Sequence, residues 1–129
     1  MGLSVAGFPN LFTVTGPGSP SVLSNVVVSI EQHVDWIVDC LRYLREHGYA
    51  TIEATELAAG EWTAHVEAVA QATLYPRANS WYMGANVDGK KRTFLPYVGG
   101  VHTYRQKCDA VAREGYTGFE LTASKGRRT

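Results

Sequence analysis

A short apolar run that halts at Gly16-Pro17-Gly18 and hands over to a long amphipathic stretch is what most limits how this chain can fold. Asn10-Leu11-Phe12-Thr13-Val14-Thr15 is apolar, β-branched and aromatic with little alternation, which predicts a strand covered on both faces, as in a parallel sheet. Glycine and proline then enforce a turn. After it, apolar residues recur at Val26, Ile30, Val34, Ile37, Leu41 and Leu44, spaced by four and three, which predicts the buried face of a helix. Ser19 or Ser21 can cap that helix, and Pro20 suits its first turn, where a missing N–H is no loss. His47-Gly48 supplies the stop. Such a junction presents free N–H groups and partial positive charge, a place for a phosphate or the electron-rich edge of a cofactor. A plain strand-to-helix turn uses the same residues. The string Gly16-Pro17-Gly18-Ser19-Pro20-Ser21 lacks the third glycine of GxGxxG and is not that fingerprint.

Further along, Tyr49 to Thr55 allows a short strand. A second helix is predicted between about Thr55 and Leu74, with Trp62, Val66, Val69 and Ala70 on one face, ended by Pro76. Residues 77–92 form a long loop carrying the aromatic pair Trp81-Tyr82 and the turn Asp88-Gly89; loops of this length are often functional. The pair either folds over a flat ligand or anchors the loop on the core. Thr93 to Val98 reads as an extended edge piece because of Pro96. A third helix follows Gly99-Gly100, with Tyr104, Cys108, Val111 and Ala112 sharing a face, ended by Gly115. Phe119-Glu120-Leu121 allows a last strand, and 124–129 is a polar tail expected to be disordered.

Composition excludes several classes. In 129 residues, Lys plus Arg number 12 and Asp plus Glu 12, which argues against a nucleic-acid partner. No apolar run approaches the roughly 20 residues that span a bilayer, and the start lacks a secretory pattern. Two cysteines, Cys40 and Cys108, make no disulfide framework, fit a cytoplasmic setting, and read as small buried packers. The histidines lack the helical spacing of a zinc pair, and no metal site is expected. Lys90-Lys91-Arg92 is either a solvated loop or a contact for a phosphorylated ligand.

Several segments, taken together, carry a resemblance. Gly7-Phe8-Pro9-Asn10-Leu11-Phe12, Gly16 to Asn25, Ser29-Ile30-Glu31-Gln32-His33-Val34, Thr73-Leu74-Tyr75-Pro76, Ser80 to Asn86, Tyr97-Val98-Gly99-Gly100 and Tyr104 to Asp109 closely resemble the C-terminal part of class I flavin-dependent Baeyer–Villiger monooxygenases. The likeness is to the phenylacetone and cyclohexanone monooxygenase group and runs from about Gly2 to Leu121. It implies an α/β parent with two Rossmann-like dinucleotide-binding domains, FAD and NADP as cofactors, and insertion of oxygen beside a ketone carbonyl through a flavin C4a-peroxide, giving an ester or lactone. Residues 1–123 would be the end of the FAD-binding domain, a long helix, a mobile NADP-contacting loop at 77–92 and a terminal helix. The resemblance implies a ketone pocket shaped by Ser21, Val22 and Leu23, a backbone contact from Val26 to FAD, and closure of Trp81 over NADP and substrate.

Neither GxGxxG nor FxGxxxHxxxW is present, and His33 and Trp36 are only three apart. The peroxide-stabilising arginine has no counterpart, so no catalytic residue is expected in this chain. Its partners would be a ketone, O₂ and the absent N-terminal FAD and NADP domains. The chain therefore reads as a C-terminal portion, inactive alone. By itself it is expected to be α+β, with three helices, a few short strands and no complete sheet. Two other readings stay open: a stand-alone, non-catalytic interaction or oligomerising module exposing Leu11, Phe12 and Val14, and a gene fragment without function.

Overall fold

A computed structural model describes residues 1–78, 81–84, 87–89 and 91–123. The expected disordered tail lies outside the described residues, as do Asn79, Ser80, Ala85, Asn86 and Lys90. The described chain is α+β. Helix α1 spans Val26–Glu46, strand β1 Tyr49–Ala54, helix α2 Glu56–Gln71, helix α3 Val101–Arg113 and strand β2 Phe119–Ala123. Short 3₁₀ turns occur at Ser21–Leu23, Tyr75–Arg77 and Trp81–Met83. The two strands pair antiparallel, Ile52 opposite Leu121 and Ala54 opposite Phe119. No helix among the described residues is long and apolar enough to cross a membrane.

Helix α2 begins just after Thr55, near the predicted start, and the stops of α1 and α3 fall at the predicted glycines. Thr55 Oγ1 accepts the Ala58 N–H at 3.1 Å, and Gly48 and Gly115 take φ of 70° and 71° beyond α1 and α3. The α2 face is also as predicted: Val66 and Ala70 are buried, with Trp62 and Val69 packed against the core.

Three expectations are corrected. Helix α1 starts later than Ser19 or Ser21 implied. Ser21–Leu23 is a separate 3₁₀ turn, and Asn25 caps α1, its Oδ1 accepting the Val27 and Val28 N–H groups at 3.1 and 3.5 Å. Serine and asparagine cap about equally well, so the hydrogen bonds that hold Gly18 and Ser19 in the preceding loop, not cap chemistry, move the start to Asn25.

The run Asn10–Thr15 is not a strand. Asn10 and Thr15 adopt φ of 60° and 53°, which breaks an extended run at both ends. A doubly covered strand needs neighbours on both sides, and here the run has one bridge, Ser4 with Phe12. Asn10 instead clasps β1: its backbone N–H donates to the Ile52 carbonyl, and its Oδ1 accepts the Ile52 N–H at 3.0 Å. Leu11 and Val14 are exposed rather than covered, and Phe12 packs against the core.

The buried face of α1 is the third correction. Ser29, Gln32, His33, Trp36, Cys40 and Leu44 face inward. Of the predicted stripe, Leu44 is buried and Ile37 half-buried, while Val26, Ile30, Val34 and Leu41 are exposed. With Val27 and Val38 they form an uncovered apolar stripe on the far side of the helix. Trp36 explains the choice. Its indole N–H donates to the Cys108 carbonyl at 3.0 Å, and its ring meets Tyr116 edge-on at 5.3 Å. A buried tryptophan removes more apolar area from water than a valine, and here its one polar atom is satisfied.

Truncating Trp36→Ala should lower the unfolding free energy by about 3–5 kcal/mol, whereas Val34→Ala should change it by no more than about 0.5 kcal/mol, both read by urea unfolding of this chain. The two thiols give a second check. Cys40 and Cys108 are fully buried, and burial pushes each thiol up to about 11. A group whose pKa is raised by folding stabilises below its unfolded value and loses that contribution as pH rises. Stability should therefore fall between about pH 9 and 11. At pH 8 both thiols should resist alkylation until the chain unfolds, as only the thiolate reacts.

Candidate functional site

The loop between Thr15 and Leu23 hangs from the core by four hydrogen bonds. The Thr15 N–H donates to His33 Nδ1 at 2.9 Å, and Trp62 Nε1 donates to the Gly18 carbonyl at 3.0 Å. The Gly18 N–H donates to the Leu95 carbonyl, and the Tyr97 N–H to the Ser19 carbonyl, both at 2.7 Å. Gly18 has to be glycine: its φ is 85°, and a Cβ there would lie 2.9 Å from Trp62 Nε1. Ser19 and Pro20, expected to open a helix, are instead buried beneath the loop.

The segment 93–97 is the other half of this arrangement. In the sequence, Thr93 to Val98 reads as an extended edge piece; the segment joins no sheet, and Phe94, Pro96 and Tyr97 are buried. The Leu95 N–H donates to the Tyr82 carbonyl at 3.0 Å, so the same residue that ties down the Gly18 loop also ties down the Trp81–Met83 turn. Two loops far apart in sequence are thus joined through Leu95.

Between them lies a cavity of about 150 Å³. Thr15, Gly16, Pro17, Ser21 and Val22 form one wall, Trp81 and Tyr82 the other, with Leu95 and Pro96 at its base. The structure therefore brings together Ser21, Val22 and Trp81, which sequence reasoning singled out separately. Leu23 does not line the cavity; it packs on the small cluster of Ala70, Met83 and Phe94. Val26 is the exposed first residue of α1 and does not line the cavity. Trp81 packs on Tyr82 with ring centroids 4.2 Å apart and planes tilted by 33°, and remains 58% exposed, so it is anchored on one side and open on the other. Lys91 and Arg92 are exposed.

Sequence reasoning missed Leu95 and Pro96 as lining and His33 and Trp62 as tethers. Proline in an extended piece signalled an edge, and here the edge is what two loops bind. Nothing in the spacing of His33 distinguishes a tether from a core histidine.

The ionisable groups beneath this site are held neutral. Burial pushes the His33 pKa below its usual value and the Tyr97 and Tyr104 phenols above theirs. A larger opening of about 400 Å³ lies elsewhere, between α2, α3 and the β1–β2 pair, and shares no lining with the Trp81 cavity.

No family model matches the chain. It is 43% identical over 123 residues to an acetone monooxygenase (methyl acetate-forming) of Gordonia sp. strain TY-5, covering 95% of this chain and 23% of that protein. It is 38% identical over 127 residues to a Baeyer–Villiger monooxygenase of Pseudooceanicola batsensis, covering 97% of this chain and 23% of that one. Its fold superposes on the crystal structure of cyclohexanone monooxygenase from Rhodococcus sp. Phi1 bound to NADP⁺ with a TM-score of 0.89 and 42% identity, covering 95% of this chain and 23% of that structure. The chain spans less than a quarter of the length of these relatives, and over nearly all of its own length it is a homologue of one segment of the Baeyer–Villiger monooxygenases.

Proposed function

We propose that this chain is the portion of an FAD- and NADPH-dependent ketone monooxygenase that walls and closes the substrate site, and that it does not turn over alone. The observation that carries this is the cavity itself: the Ser21–Val22 loop and the Trp81 turn meet around one space. Homology to NADP-bound monooxygenase structures supports the choice of chemistry.

The residues present fit these cofactors. Asn25 takes the Val27 and Val28 N–H groups and leaves the Val26 N–H outside the cap. With Val22 and Val26 exposed, the start of α1 offers an apolar edge, one N–H donor and the positive end of a helix. That combination suits the rim of a flat heteroaromatic ring that gathers negative charge. When bound, FAD and NADPH supply the redox chemistry that activates O₂ for insertion beside the carbonyl. The chain's own part is geometric. Val26 donates through its backbone toward the flavin, Ser21 and Val22 shape the ketone's surroundings, with Leu23 bracing the loop from beneath. Trp81, with its exposed face, would close over NADP and substrate and exclude water there.

The uncovered stripe Val27, Ile30, Val34, Val38 and Leu41 fits this reading, since contiguous exposed apolar surface marks a place where protein packs. In the proposed parent, a cytosolic enzyme with two dinucleotide-binding domains, those domains cover it. The same stripe favours a second reading, a stand-alone module that pairs with another copy. A monomer in size-exclusion chromatography would count against the second reading.

The test is a segment swap, with this chain replacing the matching stretch of the Gordonia acetone monooxygenase. The swapped enzyme should bind flavin and convert a ketone to its ester with NADPH. Trp81→Ala should lower oxygenation about ten- to a hundredfold with flavin content unchanged. Unaltered kinetics would return Trp81 to simple packing against Tyr82. The chain alone, given FAD and NADPH, should form no ester or lactone.

A further inference from the structure

His33 lies on the inward face of α1 and is 0% exposed. Its Nδ1 accepts the Thr15 N–H at 2.9 Å. A ring nitrogen that accepts cannot carry the proton, so the proton of the neutral ring is on Nε2. That nitrogen is also buried and has no hydrogen-bond partner among the described residues. The ring meets Tyr104 of α3 edge-to-face at 5.6 Å.

Thr15, at the other end of this bond, is held at φ 53°. A β-branched residue in the left-handed region is a genuine outlier and persists only where its surroundings dictate it. Thr15 also begins the Thr15–Pro17 wall of the cavity that faces Trp81. The histidine is therefore joined to the cavity through one backbone N–H on a strained residue.

We propose that His33 is a positioning residue for this cavity: its neutral ring, as acceptor, fixes Thr15 in the left-handed conformation and thereby sets the Thr15–Pro17 wall opposite Trp81. What the wall positions rests on the monooxygenase reading above; the tether itself does not. Protonating Nδ1 would set one N–H against another and release the wall. The titratable groups on the packed elements are Tyr104 and, one turn on, Cys108 of α3, both kept neutral by burial, and the Met1 α-amino group, which burial pushes down to about 5 and whose residue accepts the Tyr104 hydroxyl at its carbonyl at 2.7 Å. The Thr15–Pro17 loop brings no ionisable side chain, and α1 carries Glu31 and Asp35 on its exposed side. Burial lowers the His33 pKa. The tether is thus intact above the ordinary histidine value near 6.5 and is lost as pH falls through the lowered value.

Nuclear magnetic resonance of the 129-residue chain tests the tether. The ¹⁵N shifts of His33 should show a bare Nδ1 and a protonated Nε2, and the Thr15 amide shift should titrate with His33. His33→Leu should speed Thr15 amide exchange by about tenfold or more, and His33→Gln, which keeps an acceptor, should restore most of the protection. Leu44→Ala, a buried change on the same helix, controls for general loosening. A protonated Nδ1, unchanged Thr15 exchange in His33→Leu, or equal loosening in Leu44→Ala would overturn the proposal. In the segment-swapped enzyme, His33→Leu should raise the ketone KM with flavin content unchanged, and His33→Gln should reverse the rise. An unmoved KM alongside faster Thr15 exchange would also overturn the positioning role. A swapped enzyme that oxidises no ketone with His33 intact would count against the monooxygenase reading alone, because the exchange experiment decides the tether independently.

Discussion

The packing of Trp36 against α3 decides which way α1 faces, and the site follows from that. With the indole N–H on the Cys108 carbonyl and the ring against Tyr116, the inward face of α1 is fixed as the one carrying His33 and Cys40. His33 is thereby aimed at Thr15. The valine stripe is turned outward by the same choice. A helix rotated to bury that stripe would gain several valines, but would expose the Trp36 indole to water and carry away the histidine that holds the loop.

The cavity is consequently a product of the core rather than of its own loops. The tethers from α1 and α2, His33 and Trp62, grip the Thr15–Gly18 turn from beneath. The 93–97 segment then binds that turn to the Trp81 turn through Leu95. Rigid tethers on one wall and a half-exposed tryptophan on the other suit a site in which one side is preset and the other closes. The valine stripe of α1 stays exposed, and the chain spans less than a quarter of the length of the monooxygenases it matches.

Much of this was legible in the residues, and the failures have physical reasons. Thr55, Gly48 and Gly115 announce helix ends because capping and left-handed turns depend on local chemistry. The strands at Tyr49–Ala54 and Phe119–Ala123 were legible as short β-prone runs, but their antiparallel pairing across α2 and α3 was not. The face of α1 was not legible, since periodicity shows that a stripe can be buried and not what the chain offers to bury it. Ser19, Ser21 and Asn25 are all competent caps, and tertiary tethers at Gly18 and Ser19 decide among them. Asn10–Thr15 has strand composition but lacks strands to pair with. Ser21, Val22 and Trp81 could be named from resemblance, yet their meeting in one cavity depends on Leu95, which no motif marks.

The central claim is that the Ser21–Val22 loop and Trp81 are two sides of one ketone and nicotinamide site. A crystal structure of the segment-swapped monooxygenase with FAD and NADP⁺ tests it most directly. The account predicts the Trp81 indole packed over the nicotinamide end of NADP⁺, with Ser21 and Val22 across the same space and the Val26 N–H within hydrogen-bond reach of the flavin. Trp81 turned to solvent, with the nicotinamide bound away from the Ser21–Val22 loop, would contradict it.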